Sequence, residues 1–299
     1  QPSRGKLAAT QSPIASVYQA LCMGVRDYIG KNDFPGVILG LSGGVDSALA
    51  LAIAVDALGA DKVKTVMLPS EFTSTMSLED ASQMAKLLGV THLECPIHPL
   101  LDHYLQSIAQ DLSVQLDPAA PSTVPENLQA RIRGTLLMAL SNHSGAVVLT
   151  TGNKSEMAVG YCTLYGDMAG GFAVLKDVSK TLVYQLCEYR NSLGNIIPER
   201  IIQRAPSAEL RHNQTDQDTL PPYEVLDAII EAYVEKDYSP AEIIALNFDA
   251  AVVKRVIHLI HQNEYKRRQA PPGTRITHCD FGTAWYYPIT SNYKTWSAP

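Results

Sequence analysis

The chain has 299 residues, 46% of them hydrophobic and 18% charged, with a formal net charge of −6 at pH 7. This length and apolar content allow a sizeable core, and the negative charge argues against a nucleic-acid partner, because proteins that handle DNA or tRNA are more often basic. No apolar run approaches 18 residues, so we expect no membrane partner.

The first half of the chain alternates between two kinds of pattern. Apolar runs of strand length lie at 37–41, 63–68, 91–97 and 146–150. Helical spacing of apolar residues lies at 13–30, 78–88, 99–110 and, after a proline-containing loop at 117–124, at 125–141. This alternation predicts an α/β fold with a doubly wound parallel sheet, whose ligands lie at the carboxyl ends of the strands. The loops at 43–44 and 150–152 leave strands at that edge, so we expect them to face one site.

Beyond Gly160 the pattern changes. Four glycines among small and aromatic residues predict that 160–176 is irregular and able to fold over a ligand. Helices are predicted at 180–192, 222–235, 240–245 and 251–265. The polar stretch 205–222 is interpreted as a mobile lid. We expect one domain over 1–299, in which 205–299 is a helical and irregular C-terminal extension.

The most informative segment follows the first strand. Gly43 and Gly44 lack a Cβ, so their backbone N–H groups can approach an anion closely, and a helix beginning at Asp46 or Ser47 adds its positive N-terminal end. The hydroxyls of Ser42 and Ser47 can donate hydrogen bonds as well. The loop therefore predicts a phosphate or pyrophosphate site. Because the Asp46 carboxylate would repel a bound polyphosphate, the loop also predicts Mg²⁺.

This loop is not a Walker A motif, because the sequence lacks the Gly-Lys-Ser/Thr element. Its Ser-Gly-Gly-x-Asp-Ser pattern resembles the signature of the ATP pyrophosphatase family residue for residue. The resemblance implies that ATP, as co-substrate, contacts Gly40, Leu41, Ser42, Gly43, Gly44, Val45, Asp46 and Ser47. The alternative is a glycine-rich turn that binds nothing.

Six later segments narrow the resemblance. They lie, in order, at Glu126–Arg133, Thr151–Glu156, Gly160–Asp167, Lys176–Thr181, Ala205–Leu210 and Glu264–Gln269. The series resembles the synthetase part of the NAD synthetase family from about residue 14 to 290, and its glutamine-dependent branch more than its ammonia-only branch. In the latter branch a lysine commonly stands where this chain has Leu164, so that substrate contact is not carried over.

The resemblance implies a Rossmann-like fold of the adenine nucleotide alpha hydrolase type and a ligase reaction. Such enzymes adenylate the nicotinate carboxylate of deamido-NAD, release pyrophosphate, and let ammonia displace AMP to give NAD. Neither step needs a protein nucleophile, only positioning and stabilisation of negative charge. The resemblance further implies a homodimer whose deamido-NAD site is shared across the interface.

Site residues follow from the same resemblance. Mg²⁺ would be held by Asp46 and Glu156, which with Lys180 are the expected catalytic residues. ATP would also contact Thr151, Lys180 and Ser207. Deamido-NAD would contact Asn127, Arg131, Glu156 and Lys266.

Each of these residues has a structural alternative. The charged ones can be solvated groups at helix ends, and the polar ones can be helix caps. Arg131 and Arg133 lie on different faces of one helix, so at most one is expected to reach the ligand. The histidines at 92, 98 and 103 form no recognisable metal-ligand set.

Three other functions fit the sequence less well than the ligase. A tRNA-thiolating relative would need catalytic cysteines and a basic surface, and a regulatory nucleotide-binding module would be expected to lack Asp46, Glu156 or Lys180. Relatives that amidate XMP or aspartate lack the later motif at 163–167. No amidase pattern is recognisable either, so we expect the N-terminal glutaminase domain to be absent from this chain, which should use ammonia and not glutamine.

The five cysteines lie far apart, at Cys22, Cys95, Cys162, Cys187 and Cys279. Their odd number and wide spacing indicate neither a disulfide framework nor a zinc site, and they fit a reducing cytoplasm. We therefore expect a cytoplasmic protein. The sequence shows no basic residue that would pair with Cys162 and activate its thiol as a nucleophile. Cys162 is therefore interpreted as a small core residue.

Overall fold

The computed structural model describes residues 11–112, 123–212 and 214–289. Its five strands form one sheet in which all pairs are parallel and the order is β3-β2-β1-β4-β5. The strands are β1 (Val37–Gly40), β2 (Val63–Met67), β3 (Thr91–Glu94), β4 (Val147–Thr150) and β5 (Phe172–Ala173). The chain reverses its direction of winding at β1, between β2 and β4. The doubly wound parallel α/β sheet predicted from the sequence is confirmed.

Helices cover both faces of this sheet. In the first half of the chain they are α1 (Pro13–Lys31), α2 (Val45–Leu58), α3 (Thr75–Leu88), α4 (His98–Gln110) and α5 (Thr123–Ser144). In the second half they are α6 (Lys154–Val159), α7 (Lys180–Ser192), α8 (Glu199–Gln203), α9 (Tyr223–Ile230), α10 (Pro240–Ala245), α11 (Ala250–Gln262) and α12 (Glu264–Arg267). None of the helices in the described ranges is both long and apolar enough to cross a membrane.

Alternation along the central strand divides the core between the two faces. Val37 and Leu39 of β1 pack with α1, α2 and α7, whereas Ile38 packs with apolar residues of α4 and α5. Burial on both faces explains why β1 is a continuous apolar run. Helix α2, which carries the end of the glycine loop, is buried on nearly all sides.

A second core lies in the C-terminal half. It joins α6 to α9 and α11, through residues such as Val159, Leu226 and Ile257. The predicted helices at 180–192 and 240–245 are confirmed. The helix predicted over 251–265 is two helices, because it is interrupted at Asn263, whose side chain donates to Val159 O at 3.0 Å. The helix predicted over 222–235 ends in a wider, π-helical turn at Glu231–Glu235.

Three short elements lie where the sequence analysis predicted none. Strand β5 extends the sheet within 160–176, which was predicted to be irregular, and α6 and α8 form from segments of six and five residues. Most of the predicted loop at 117–124 lies outside the described residues. The segment 205–222, interpreted as a lid, contains a 3₁₀ turn at Asp216–Asp218.

Candidate active site

The glycine loop runs from the end of β1 into α2. Leu41 N donates to Val66 O at 3.0 Å, which keeps the start of the loop in line with the sheet. Gly43 has φ +79°, and a Cβ on it would lie 2.5 Å from Ser77 O. Both its conformation and its contact with α3 therefore require glycine.

The serines of the loop bond mainly to the loop itself. The hydroxyls of Ser42 and Ser47 lie 3.1 Å apart, and Gly44 N donates to Ser42 Oγ at 3.2 Å. The Ser47 hydroxyl also donates to Gly44 O at 2.9 Å. These bonds hold the loop in shape, so a bound anion would have to compete with them for the hydroxyl protons.

A cavity of about 530 Å³ opens at the carboxyl ends of β1, β2 and β4. The loops at 43–44 and 150–152 both contribute to it, as their positions on the strands predicted. Among the described residues, the lining takes in every predicted site residue apart from Gly43 and Arg131. Residues that are up to 226 positions apart in sequence, from Gly40 to Lys266, thus meet around one space.

Three charged side chains meet at the floor of this cavity. Lys180 Nζ lies 2.5 Å from Asp46 Oδ2 and 3.3 Å from Glu156 Oε1. The Lys180 side chain is only 2% exposed, whereas the two carboxylates keep 18% and 17% of their surface. The lysine is therefore buried beneath two carboxylates that face the cavity.

Local structure explains how these three groups are positioned. Asn153 caps α6 and shares a capping box with Glu156, and its amide also donates to Asp46 Oδ1 at 2.9 Å. Ser155 Oγ accepts a hydrogen bond of 2.9 Å from Lys180 N, at the first residue of α7. The short segment 153–156 after β4 thus orients both carboxylates and the first residue of α7, which is Lys180.

Burial and charge shift the pKa values of this group. Burial, reinforced by the nearby Asp46, raises the pKa of Glu156 to about 8, although Lys180 opposes this shift. Burial alone would lower the pKa of Lys180, but Asp46 and Glu156 outweigh it and the pKa lies above its ordinary value. Lys180 is therefore charged, and a further cation near Glu156 would favour the ionised form of this carboxyl.

The donor set suits Mg²⁺ once phosphate is present. No group of three or more His, Cys, Asp or Glu side chains within the described ranges could hold a metal ion. Asp46 and Glu156 nevertheless offer two hard carboxylates at the mouth of the glycine loop. Since Mg²⁺ is commonly held by one or two carboxylates together with substrate phosphates, these residues fit that ion.

A further carboxylate, Asp216, lines the cavity and is not among the site residues predicted from the sequence. It is 3% exposed; its Oδ2 accepts from the Tyr223 hydroxyl at 2.7 Å, and its Oδ1 has no hydrogen-bond partner among the described residues. The ring of Tyr223 lies 5.2 Å from Lys180 Nζ. Asp216 belongs to the polar segment that was interpreted as a lid, and nothing in its local sequence distinguishes it from the neighbouring acidic residues.

Two of the residues predicted to contact deamido-NAD, Asn127 of α5 and Lys266 of α12, line the side of the cavity that we call the far wall. Asn127 Oδ1 accepts from the Thr163 hydroxyl at 2.8 Å. Lys266 Nζ donates to Gly160 O at 2.7 Å and to Cys162 O at 2.8 Å. Both side chains thus bind the segment that follows α6, and both also line the cavity.

Ser207, predicted to bind ATP, braces its own segment. Its hydroxyl donates to Gln214 O at 2.6 Å and accepts from Glu209 N at 3.1 Å. Thr151, directly after β4, also lines the cavity. Their roles towards ATP remain predictions.

Arg131 and Arg133 do lie on different faces of α5. Arg131 is exposed, and its Nε donates to Leu164 O at 3.2 Å. Arg133 lines the cavity and donates from Nε to Leu68 O at 2.9 Å. Within one chain the geometry favours Arg133, which was not selected from the sequence, and the role of Arg131 stays a prediction that needs a ligand reaching beyond this cavity.

Cys162 also lines the cavity. Burial, reinforced by Asp167, raises the pKa of its thiol to about 12, although Lys266 opposes the shift. A thiol of this pKa is almost entirely protonated at neutral pH and is therefore a poor nucleophile. The absence of a nucleophilic role agrees with the sequence, but Cys162 is half-buried at the cavity surface and is not the core residue that was predicted.

Comparison with known proteins gives one consistent family. The sequence profile of the NAD synthase family matches residues 17–270. A glutamine-dependent NAD(+) synthetase from Acinetobacter baylyi is 55% identical over 283 residues, which are 94% of this chain and 52% of that protein. The chain spans about half the length of the curated relatives it matches.

Solved structures agree with this result. A glutamine-dependent NAD+ synthetase from Acinetobacter baumannii, in complex with adenosine diphosphate, is 51% identical with a TM-score of 0.64, over 95% of this chain and 51% of that one. An NMN synthetase from Francisella tularensis is 27% identical with a TM-score of 0.72, over 86% and 97% of the respective chains. The adenine nucleotide alpha hydrolase type of fold expected from the sequence is confirmed by such neighbours.

Proposed function

The chain belongs to the NAD synthase family, and from that membership we propose that it catalyses the ATP-dependent amidation of deamido-NAD to NAD, with AMP and pyrophosphate as the other products. This is the last step of NAD biosynthesis. The observation that carries the proposal is the buried Lys180 beneath Asp46 and Glu156, at the end of a glycine loop that opens into a large cavity.

In the first step a carboxylate oxygen of deamido-NAD attacks the α-phosphorus of ATP. A new oxygen–phosphorus bond forms, and the bond between the α-phosphorus and the bridging oxygen of pyrophosphate breaks. The chain orients the two reactants and stabilises the added negative charge, for which Lys180 supplies a fixed cation in a site shielded from water. The backbone of the glycine loop binds the departing pyrophosphate.

Asp46 and Glu156 would hold Mg²⁺ together with oxygens of the ATP phosphates. When bound, the ion would offset the charge of the polyphosphate and so favour the departure of pyrophosphate. Burial raises the pKa of Glu156, and a cation held beside this carboxyl would favour its ionised form.

In the second step ammonia attacks the carbonyl carbon of the adenylated intermediate. A carbon–nitrogen bond forms, the carbon–oxygen bond to AMP breaks, and a proton leaves the nitrogen. This displacement needs no nucleophile from the protein, which agrees with the protonated thiol of Cys162. The far wall, with Asn127 and Lys266, would hold the dinucleotide part of the substrate.

The wider organisation is also part of the proposal. We regard the chain as one synthetase domain, with 205–299 as its extension, that uses ammonia directly; glutamine would be used only with a glutaminase domain in the remaining half of a longer protein. A cytoplasmic homodimer fits the five free cysteines and the exposure of Arg131 outside the cavity, where a substrate shared with a partner subunit would reach it.

Product analysis tests the reaction. The chain is mixed with ATP, Mg²⁺, deamido-NAD and ammonium, and we expect AMP, pyrophosphate and NAD in equal amounts. Nicotinate mononucleotide in place of deamido-NAD tests the alternative suggested by the NMN synthetase. Formation of ADP, preference for the mononucleotide, or tight ATP binding without turnover would each refute the proposal.

A further inference from the structure

The glycine loop contains no lysine, yet a guanidinium lies against it. Arg204 follows α8 directly; its Nη2 donates to Gly43 O at 3.4 Å, and its Nη1 donates to Ser77 Oγ at 2.8 Å. Arg204 also lines the cavity. Its charge therefore lies at the turn of the glycine loop, where the cation of a Walker A motif is missing from the sequence.

A carboxylate occupies the space next to this guanidinium. Glu209 Oε1 accepts from the Ser77 hydroxyl at 2.8 Å and lies 3.7 Å from Arg204 Nη1. Glu209 has φ +48°, in the left-handed region that a non-glycine residue adopts only at a cost in free energy. Its contacts with Ser77 and Arg204 are what offset this cost.

A second arginine completes the arrangement. Arg133 reaches the same cavity from α5, and burial lowers its pKa to about 10, partly offset by the nearby charge of Glu209. One carboxylate thus lies near two guanidinium groups from different elements. Arg204 and Arg133 thus bring two positive charges to the lining of the cavity that also contains Glu209.

We propose that Arg204 and Arg133 form a binding site for the β- and γ-phosphates of ATP, and that the Glu209 carboxylate occupies this site while ATP is absent. Phosphate oxygens and carboxylate oxygens pair with guanidinium in the same way, so one can replace the other. A polyphosphate carries more charge than Glu209 and displaces it, which releases its strained backbone and the segment around it. The identity of the ligand rests on the proposed function.

The test measures binding of inorganic pyrophosphate, with Mg²⁺, by calorimetry. Glu209→Gln removes the competing charge and keeps the size of the side chain, so we expect its affinity to rise by about 5-fold or more. Arg204→Gln is expected to lower the affinity by roughly 10-fold or more, the usual effect of losing a hydrogen bond to a charged group. A rise in affinity is not a result that misfolding would give.

Two charge-matched controls lie outside the cavity. Glu79→Gln alters an exposed carboxylate of α3, and Arg255→Gln alters an exposed guanidinium of α11 that donates to Thr219 O. Both are expected to bind pyrophosphate within about 2-fold of the unmodified chain.

Unchanged or weaker binding in Glu209→Gln overturns this proposal, whatever Arg204→Gln does. Its failure is distinct from failure of the proposed function. If the unmodified chain forms NAD but neither variant changes pyrophosphate binding, only the arginine site is refuted. If both variants behave as expected but no NAD forms, only the proposed function is refuted.

Discussion

The charged side chain of Lys180 is almost completely buried, so Asp46 and Glu156 beside it must compensate its charge. A buried cation destabilises a fold unless opposite charges and hydrogen bonds compensate it. Asp46 and Glu156 do so here, at 2.5 and 3.3 Å. Both carboxylates also face the cavity and could bind a second cation there. Lys180 would then need another anion, such as a phosphate, to compensate its charge. Binding of ATP and binding of a metal ion should therefore be coupled.

Asp46→Asn separates the chemical role of this carboxylate from its structural role. We expect pyrophosphate release to fall by about 10²-fold or more, because an amide holds Mg²⁺ more weakly than a carboxylate does, so the polyphosphate would lose the cation that offsets its charge. The free energy of unfolding should fall by only about 1–3 kcal/mol, since Glu156 still faces Lys180 and the new amide can still pair with Asn153. Pyrophosphate release in the full reaction and urea denaturation measure the two effects.

Asp61→Asn serves as the matched control, because Asp61 is exposed in the turn after α2 and lies outside the cavity. It should leave both quantities unchanged. Full activity of Asp46→Asn at ordinary Mg²⁺ would contradict the role given to Asp46.

At the scale of elements, α6 connects the site to the C-terminal half. Lys154, its first residue, is 2% exposed and lies 2.8 Å from both Asp177 Oδ1 and Glu235 Oε1. The same ammonium donates to the Thr277 hydroxyl at 2.8 Å and to Cys279 O at 3.1 Å. One lysine thus holds together α6, the π-helical turn and the segment after α12.

Lys154→Met is expected to lower the free energy of unfolding by about 3–5 kcal/mol, because it leaves Asp177 buried without its cation. Urea denaturation of the whole chain measures this change. Lys236→Met removes an exposed lysine that pairs with Glu231 and should leave the free energy of unfolding almost unchanged, because exposed ion pairs contribute little to stability. Equal effects of the two substitutions would show that the Lys154 network contributes little to stability.

A second element-level contact predicts a pH dependence. His261 of α11 stacks on Tyr287 with ring centroids 3.7 Å apart, and its Nε2 lies 2.6 Å from the Tyr233 hydroxyl. Burial, with Arg267 adding to it, lowers the pKa of His261 from its ordinary 6.5 to about 4. The unfolded chain therefore binds a proton at a higher pH than the folded chain does.

Stability from this histidine should be fully present above pH 6.5 and be lost as the pH falls towards 4. After allowance for solvent screening we expect a loss of about 1–2 kcal/mol between pH 7 and pH 4.5, and a smaller loss in His261→Gln. Urea denaturation at the two pH values measures it. A His258→Gln variant on the same helix keeps His261 and removes only the smallest cause of its lowered pKa, so it should keep most of the pH dependence. The same slope in His261→Gln would contradict the assignment.

The sequence predicted the longer elements and the glycine loop, but it did not predict the shortest strand and helices. The run from Val37 to Ser47 was predictable because a buried strand, a turn that needs glycine and a helix start each leave a local pattern. Strand β5 has two residues and α6 has six, too few to show a period. Their structure depends on partners far along the chain: Gly171 N bonds to Val148 O, and Lys154 N bonds to Val178 O.

Among the site residues, too, those that belong to a sequence motif were predictable and those outside a motif were not. Asp46, Glu156 and Lys180 were predictable through their motifs, and the structure brings them together. Arg204 was not, because an arginine after a short helix has no special pattern, and its position becomes evident only when Gly43 O is seen beside it.

At the scale of the whole molecule, the cavity lies between the two cores. The sheet and its helices supply the glycine loop and Lys180, whereas α6 packs into the C-terminal core and supplies Glu156. Asp216 and Lys266 approach from the C-terminal half. A carboxylate held by one core and the glycine loop held by the other meet at one edge of the sheet. The packing of the two cores against each other and the geometry of the site therefore depend on each other.

The central claim is that the carboxylate of deamido-NAD is adenylated in this cavity. The most direct measurement is transfer of oxygen-18 from a labelled nicotinate carboxylate during turnover with ATP, Mg²⁺ and ammonium. Attack on the α-phosphorus followed by displacement of AMP predicts one labelled oxygen in the phosphate of every AMP formed, as mass spectrometry would detect. Unlabelled AMP, or label in the pyrophosphate, would contradict the account.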